Sequence, residues 1–399
     1  MPQTKKIKSF SAIRECFLRF VLIVCGSIIG FLLLEVSLQY IQKTEKKFYV
    51  WTPNTKKVFN PSPGVMPGIN GSSLFSVNSE GMRGDPYFLK YDYKIIAVGG
   101  STTECLYLDQ SESWPYLLQS ILQNRANFKV FVGNIGKAGH STREHYYQIR
   151  YLLEQYPDID LVLLLVGVND LQLYLCDPSY KPFDFTDPAQ KAKTIKRAFA
   201  IKPVYLYNDN YVPFYKQTAI WRSWRYLKNK FVAKNRVQDD AGYWYNEVRK
   251  YRKNAKKIIS ELPDITIGLE EYRKNINKII DLIKEKNVRL ILMTQPVMWN
   301  REISKEFEEL LWTGGIGYFM IGKAEAYYSI DVLANVMGRY NKTLLKICIE
   351  RHIECIDLAS MLPKDTSIFY DDYHFNESGA KSVANIVAKY LEKTLSHGR

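Results

Sequence analysis

Residues 160–170 read Asp160-Leu161-Val162-Leu163-Leu164-Leu165-Val166-Gly167-Val168-Asn169-Asp170. A continuous apolar run without polar alternation describes a strand buried on both faces of its sheet. A glycine followed by polar residues ends it. Working outward, Tyr93–Gly100, Phe128–Ile135, Val288–Val297 and Ile353–Leu358 have the same character. Between them, Trp114–Gln123 and Arg143–Tyr156 read as helices. Leu269, Tyr272, Ile276, Ile279, Ile280 and Ile283 mark one face of another helix, and Val383, Ile386, Val387, Tyr390 and Leu391 mark the last. Strands alternating with helices predict an α/β fold, a three-layer α/β/α sandwich around a parallel five-stranded sheet. In such sheets the ligand sits beyond the carboxyl ends of the strands. Polar residues at those ends are therefore the functional candidates.

The chain has 399 residues, 46% of them hydrophobic, too many for a disordered protein. Its six cysteines and five histidines show no zinc-site spacing. The formal charge of +14 is unevenly placed. Residues 1–19 hold Lys5, Lys6, Lys8, Arg14 and Arg19 against Glu15. Residues 181–260 hold 19 Lys and Arg against 6 Asp and Glu, a local +13. The remainder is slightly acidic, so the charge belongs to two appendages.

The first appendage, the basic tail 1–19, precedes an almost wholly apolar stretch, Phe20–Leu38, interrupted by Glu35. Nineteen helical residues span about 28 Å, close to a bilayer's hydrocarbon core. A transmembrane helix is expected over 20–40, with the preceding cations favouring an inside N-terminus and an extracytoplasmic body. Lys43, Lys46 and Lys47 weaken that orientation. The rival reading, a cleaved signal peptide, lacks a small-x-small site after the run. A lipoprotein site at Cys25 is disfavoured by the bulky Val24 before it. Residues 41–92, rich in Pro, Asn, Ser and Gly, read as an extended segment before a domain spanning 93–399. Within that domain, residues 171–265 break the strand–helix alternation as a basic, aromatic insertion, long enough for its own helical subdomain. Its aromatics include Tyr205, Tyr207, Tyr211, Phe214, Tyr215, Trp221, Trp224, Tyr226, Tyr243, Trp244 and Tyr245.

Four strand ends carry candidate chemistry. Gly99-Gly100-Ser101-Thr102-Thr103-Glu104 places a hydroxyl after glycines that let the backbone approach a ligand; a plain helix cap fits equally. Asn134-Ile135-Gly136-Lys137-Ala138-Gly139-His140-Ser141 offers a backbone N–H, or a simple turn. Gly167-Val168-Asn169-Asp170 offers a side-chain amide that can donate to an oxyanion, or an Asx turn. Asp371-Asp372-Tyr373-His374-Phe375-Asn376 places an acid three residues before a histidine. One tight turn then lets the carboxylate hold one imidazole nitrogen while the other faces a nucleophile. Asp372 is the competing acid, with a capping or solvated role as its alternative. Cys348 and Cys355 are spaced to pair across a helix–strand turn, Cys105 reads as a small buried residue, and 313–317 reads as a mobile loop.

The order Ser, Gly, Asn, Asp-x-x-His at successive strand ends resembles the SGNH/GDSL hydrolase superfamily, over roughly residues 75–395 without the insertion. Val77–Gly84 and Met293-Thr294-Gln295-Pro296 are similar to segments of its membrane-anchored subgroup. The usual Gly-Asp-Ser reads Gly-Gly-Ser here, which puts lipase-like substrates in doubt. The resemblance implies a flavodoxin-like sheet and an ester hydrolase. It implies Ser101 as nucleophile, His374 as base and Asp371 as its orienting acid. The N–H groups of Ser101 and Gly139 and the amide of Asn169 would form the oxyanion hole. This chemistry needs no metal and no organic cofactor.

Three partners suit the insertion's mix of cations and aromatics: an acidic glycan, a membrane surface and nucleic acid. An extracytoplasmic body without a nucleic-acid-binding motif sets the last aside. The alternative is a solvated charged face over an aromatic core. Membrane-anchored members of the resembled family act on acylated surface polysaccharides, so glycan deacetylation is the expected function. Acyl transfer and lipid ester hydrolysis are alternatives, and the intact Ser101, Asn169, Asp371 and His374 weigh against a non-catalytic glycan binder.

Overall fold

A computed structural model describes residues 3–44, 47–87, 90–125, 129–202, 215, 218–232, 241–317 and 324–395. The chain divides into two compact units. The first takes Met1–Lys47 and Lys202–Arg236, the second Phe48–Ile201 and Val237–Arg399.

The second unit carries the expected sheet. A short antiparallel pair, β1 (Lys56–Phe59) and β2 (Ser73–Ser76), precedes it. The main strands are β3 (Tyr93–Gly99), β4 (Val130–Asn134), β5 (Leu161–Leu165), β7 (Arg289–Met293) and β9 (Glu354–Ile356). They lie in the order β4-β3-β5-β7-β9, all parallel. A parallel pair, β6 (Lys257–Ile259) with β8 (Ala326–Tyr328), lies outside that sheet. Leu161, Val162, Leu163, Leu164 and Leu165 are fully buried, as a strand covered on both faces requires.

From β3 the chain steps outward to β4, then returns past β3 to β5. Right-handed crossovers in opposite directions put their helices on opposite faces of the sheet. Trp114–Arg125 packs against Glu377–Leu395 in one layer. Thr142–Gln155, Thr266–Glu285 and Ile330–Arg351 pack in succession in the other. The reversal of direction also creates a crevice at the carboxyl ends of β3 and β5. Ser101 and Asn169 begin there.

Residues 48–92 differ from the expected extended lead-off. Phe48, Val50, Met66, Phe75, Val77, Met82 and Arg83 are buried in the second unit. Phe59, Phe75 and Val77 form a small core with Trp51, Leu106 and Tyr107. The apolar residues here are separated by Pro and Gly, so no periodicity announces them. The insertion 171–265 likewise forms no single helical subdomain. The helices Pro188–Ala198 and Ala241–Lys253 belong to the second unit, and Ala219–Val232 to the first. Tyr205, Tyr207, Tyr211 and Phe214 lie outside the described residues, as do 233–240, His397 and the side chain of Tyr226.

In the first unit one helix runs through Gln3–Thr44, longer than the expected 20–40 at both ends. Within its stretch Arg14–Ile41 the apolar window has a mean hydropathy of 2.5 and is unburied. It is an apolar N-terminal helix of the kind that serves as a membrane anchor or a signal sequence; the side chains of the tail's Lys5, Lys6 and Lys8 lie outside the described residues.

Candidate active site

Ser101 opens a four-residue helix, Ser101–Glu104, directly after β3. Gly100 is the cap, and its lack of a side chain is required here. A Cβ on Gly100 would lie 2.3 Å from Asn169 Nδ2. The turn leaves Ser101 half-buried with its hydroxyl toward the sheet edge, while Thr102, Thr103 and Glu104 are buried behind it. Cys105 closes the helix in the left-handed region at φ 52°. Burial pushes its thiol up to about 11, so it remains a packed neutral group.

The segment before the last helix brings the second part. His374 Nε2 lies 2.7 Å from Ser101 Oγ. His374 Nδ1 lies 2.7 Å from Asp371 Oδ2. Asp371 Oδ1 accepts from the backbone N–H groups of Tyr373 and His374, at 3.1 and 2.9 Å. Trp312 Nε1 donates to Asp371 Oδ2 at 3.0 Å. Burial alone would raise this carboxyl; the His374 charge and these hydrogen bonds outweigh it and hold Asp371 below the usual carboxylate range. The Tyr370 ring stacks on His374 at 5.4 Å, and Tyr373 tilts against it at 4.6 Å.

Asp372 points away from the histidine. It is buried, neither solvated nor capping a helix. It accepts from Trp299 Nε1 at 2.8 Å, the Trp312 N–H at 2.8 Å and Thr313 Oγ1 at 2.6 Å. Burial and the neighbouring Asp371 charge raise it. Two adjacent buried acids thus have divided roles: one faces His374, the other secures the segment bearing Trp312. The adjoining residues 313–317, expected as a mobile loop, are held by hydrogen bonds at both ends. Arg252 Nη1 donates to the Thr313 carbonyl at 2.5 Å, and the Gly317 N–H donates to the Cys176 carbonyl at 2.8 Å.

Gly139 and Asn169 complete the expected set. Gly139 sits at φ 71°, in the left-handed region, on the turn after β4. Asn169 is the second residue of the helix Val168–Cys176 and donates through Nδ2 to the His140 carbonyl at 2.7 Å. An amide nitrogen carries two hydrogens, so one remains. The N–H groups of Ser101 and Gly139 have no acceptor among the described residues. A recess of about 230 Å³ opens here, lined by Gly139, Ser141, Asn169, Leu173 and Arg197 among others. Asp170 ties the blocks together, accepting from Thr142 Oγ1 at 2.5 Å and the Thr142 N–H at 3.1 Å.

Three supporting residues escape a reading by spacing. Arg83 is buried, and its guanidinium donates to the carbonyls of Glu104, Cys105 and Leu108 at 2.7, 2.5 and 2.7 Å. Desolvation lowers it to about 10. Glu104 Oε2 accepts from the Ala138 N–H at 2.5 Å, holding the turn that bears Gly139. Burial pushes Glu104 up to about 7. Asn134 donates to the Thr103 carbonyl at 2.7 Å and accepts from the Gly136 N–H at 2.8 Å. Arg83 lies in the Val77–Gly84 segment that carries part of the resemblance; Glu104 and Asn134 lie beside Ser101 and Gly136 in sequence, where spacing assigns them no role.

His140 is buried beside Gln148 and His145 rather than lining the recess. Burial, then Lys137 and His145, hold it well below the usual imidazole range. Tyr245 is buried against Tyr370 and Trp312, and Trp244 packs on Trp312. These insertion aromatics are core around the His374 segment. Cys348 and Cys355 are joined in a disulfide with a Cα–Cα distance of 6.2 Å.

A serine, a histidine and an aspartate are thus hydrogen-bonded in series at the carboxyl edge of a five-stranded parallel sheet, an arrangement shared by several classes of hydrolase. Residues 97–381 match the GDSL-like Lipase/Acylhydrolase family. The chain belongs to that family and is an enzyme acting on ester bonds. Among solved structures it is similar to a G-D-S-L family lipolytic protein of Veillonella parvula, at 13% identity, 75% of this chain, 99% of that chain and TM-score 0.39. A G-D-S-L family protein of Desulfitobacterium hafniense aligns at 12%, 75%, 99% and 0.37. An acetylxylan esterase of Geobacillus stearothermophilus aligns at 13%, 75%, 94% and 0.39. No curated protein matches the chain.

Proposed function

We propose that the chain is a membrane-anchored serine esterase that removes acyl groups, acetyl in particular, from a cell-surface glycan. The observation that carries the proposal is the unbroken chain from Ser101 Oγ through His374 to Asp371, with 2.7 Å at each link. A serine hydroxyl is a weak nucleophile without an adjacent base. In the proposed cycle His374 Nε2 takes the Ser101 proton as Oγ attacks the ester carbonyl. Asp371 fixes the imidazole so that Nε2 faces the serine, and stabilises the imidazolium. The oxyanion is bound by the N–H groups of Ser101 and Gly139 and the second Asn169 amide hydrogen. One such donor is worth about 3 kcal/mol of barrier. His374 then returns its proton to the leaving sugar hydroxyl, and water repeats the sequence on the acyl-enzyme.

Anchoring rests on the Arg14–Ile41 stretch, and an outward-facing body on the cations preceding it. The Cys348–Cys355 disulfide fits an oxidising compartment. The test is acetate release from an O-acetylated polysaccharide by the full chain in detergent, against Ser101→Ala. Equal release by both proteins overturns the proposal. Adding an unacetylated acceptor glycan separates hydrolysis from transfer: diversion of acetyl to the acceptor identifies a transferase.

A further inference from the structure

The first unit contains a second element whose placement is explained by one residue of the apolar helix. Glu35 is the only acidic residue of the Phe20–Leu38 stretch. Its Oε1 accepts from the Ala219 N–H at 2.7 Å and from Gln39 Nε2 at 2.8 Å. Its Oε2 accepts from the Ile220 N–H at 3.0 Å. The carboxylate therefore caps the start of the helix Ala219–Val232 with two backbone donors, where the helix dipole favours negative charge. Arg14–Ile41 spans 28 residues, and Glu35 lies about 11 Å from its centre along the axis. The hydrocarbon half-thickness is about 15 Å, so a centred span puts Glu35 just inside the apolar boundary. A carboxylate there needs donors, and the helix start supplies them.

Ala219–Val232 reads Ala-Ile-Trp-Arg-Ser-Trp-Arg-Tyr-Leu-Lys-Asn-Lys-Phe-Val. Positions 220, 224 and 227 share one helix face. Trp224 and Leu227 on that face are half exposed. Trp221 meets Tyr215 edge-to-face at 5.3 Å and tilts against Trp224 at 5.1 Å, and Lys228 Nζ lies 5.1 Å over the Trp224 ring. Exposed Trp and Leu on one face, with cations beside them, are the composition of a helix lying in the membrane interface.

We propose that Ala219–Val232 is an in-plane interfacial helix, seated on the C-terminal part of the anchor by Glu35, with Trp224 and Leu227 in the lipid at the level of the glycerol and headgroups. Part of the insertion's basic, aromatic character is thereby assigned to the bilayer rather than to a glycan. The proposal rests on the anchor reading, and the test separates the two. The full chain with Cys16→Ser and Cys25→Ser is reconstituted into phosphatidylethanolamine/phosphatidylglycerol vesicles. A nitroxide placed through Leu227→Cys is then read for its accessibility to oxygen against a water-soluble nickel complex. The expected result is several-fold greater accessibility to oxygen, with Glu35→Ala shifting the label toward water and Glu35→Gln shifting it less. If the chain floats with vesicles but Leu227→Cys reports water, the helix proposal is overturned and the anchor stands. If the chain does not associate with vesicles, both fall. An unchanged label depth in Glu35→Ala overturns the role of Glu35 as the seat.

Discussion

Glu104→Gln is expected to stabilise the protein, and only at neutral to alkaline pH. Glu104 is 2% exposed, and burial raises its carboxyl from 4.5 to about 7. Its folded pKa thus lies above its unfolded one, opposite to a carboxylate held by an ion pair. The folded state binds the proton more tightly, so the ionised side chain destabilises the fold. That penalty is absent below about pH 4.5 and complete above about pH 7, where the shift corresponds to about 3 kcal/mol. Glutamine cannot ionise, and its carbonyl can still accept the Ala138 N–H. The gain is trimmed because Arg83, buried nearby, loses an attractive carboxylate. For a chain of this size the net change is on the order of 5 °C in Tm. The assay is thermal unfolding of wild type and variant in detergent at pH 5 and pH 8. The variant should unfold at higher temperature at pH 8, with the difference shrinking toward pH 5. A gain of equal size at both pH values, or a loss at pH 8, refutes the burial argument. Glu104→Ala provides the complement: it removes the acceptor that holds the Ala138 N–H and so loosens the Gly139 turn, so kcat should fall while KM changes little.

Asp371→Asn should leave the fold intact and lower kcat by about four orders of magnitude, because the amide stabilises the wrong imidazole tautomer; esterase kinetics with a chromogenic acetyl ester check this. Since Asp371 is held below the usual carboxylate range, it stays ionised across mildly acid pH, and wild-type activity should not show a separate loss there from this group. Arg83→Met should destabilise the protein by about 3–5 kcal/mol in denaturant unfolding, because three buried carbonyls lose their donor. Gly100→Ala places a Cβ within 2.3 Å of Asn169 Nδ2, so turnover should fall well beyond any change in Tm.

The four site blocks were legible because each follows an apolar strand directly, and a parallel sheet gathers its strand ends on one edge. Asp371 was separable from Asp372 by spacing to His374, but the fate of Asp372 was not. Its partners Trp299, Trp312 and Thr313 come from a segment 59–73 residues away in sequence. Arg83 and Glu104 were similarly hidden, since a buried charge is recognised by what surrounds it in space. The pairs β1–β2 and β6–β8 have only 3 or 4 residues per strand, too few for a periodic signal. The charge of the insertion is plain in the sequence, but the pairing of Glu35 with the start of Ala219–Val232 joins residues 184 and 185 apart and has no local signal.

The central claim, that Ser101 is the nucleophile activated by His374, is tested most directly by covalent capture. The full chain is treated with an alkyl fluorophosphonate and its peptides are read by mass spectrometry. The account predicts one adduct on the peptide containing Ser101, absent in Ser101→Ala and strongly slowed in His374→Ala. An unlabelled wild-type chain that nevertheless hydrolyses acetyl esters, or equal labelling in Ser101→Ala, would contradict it.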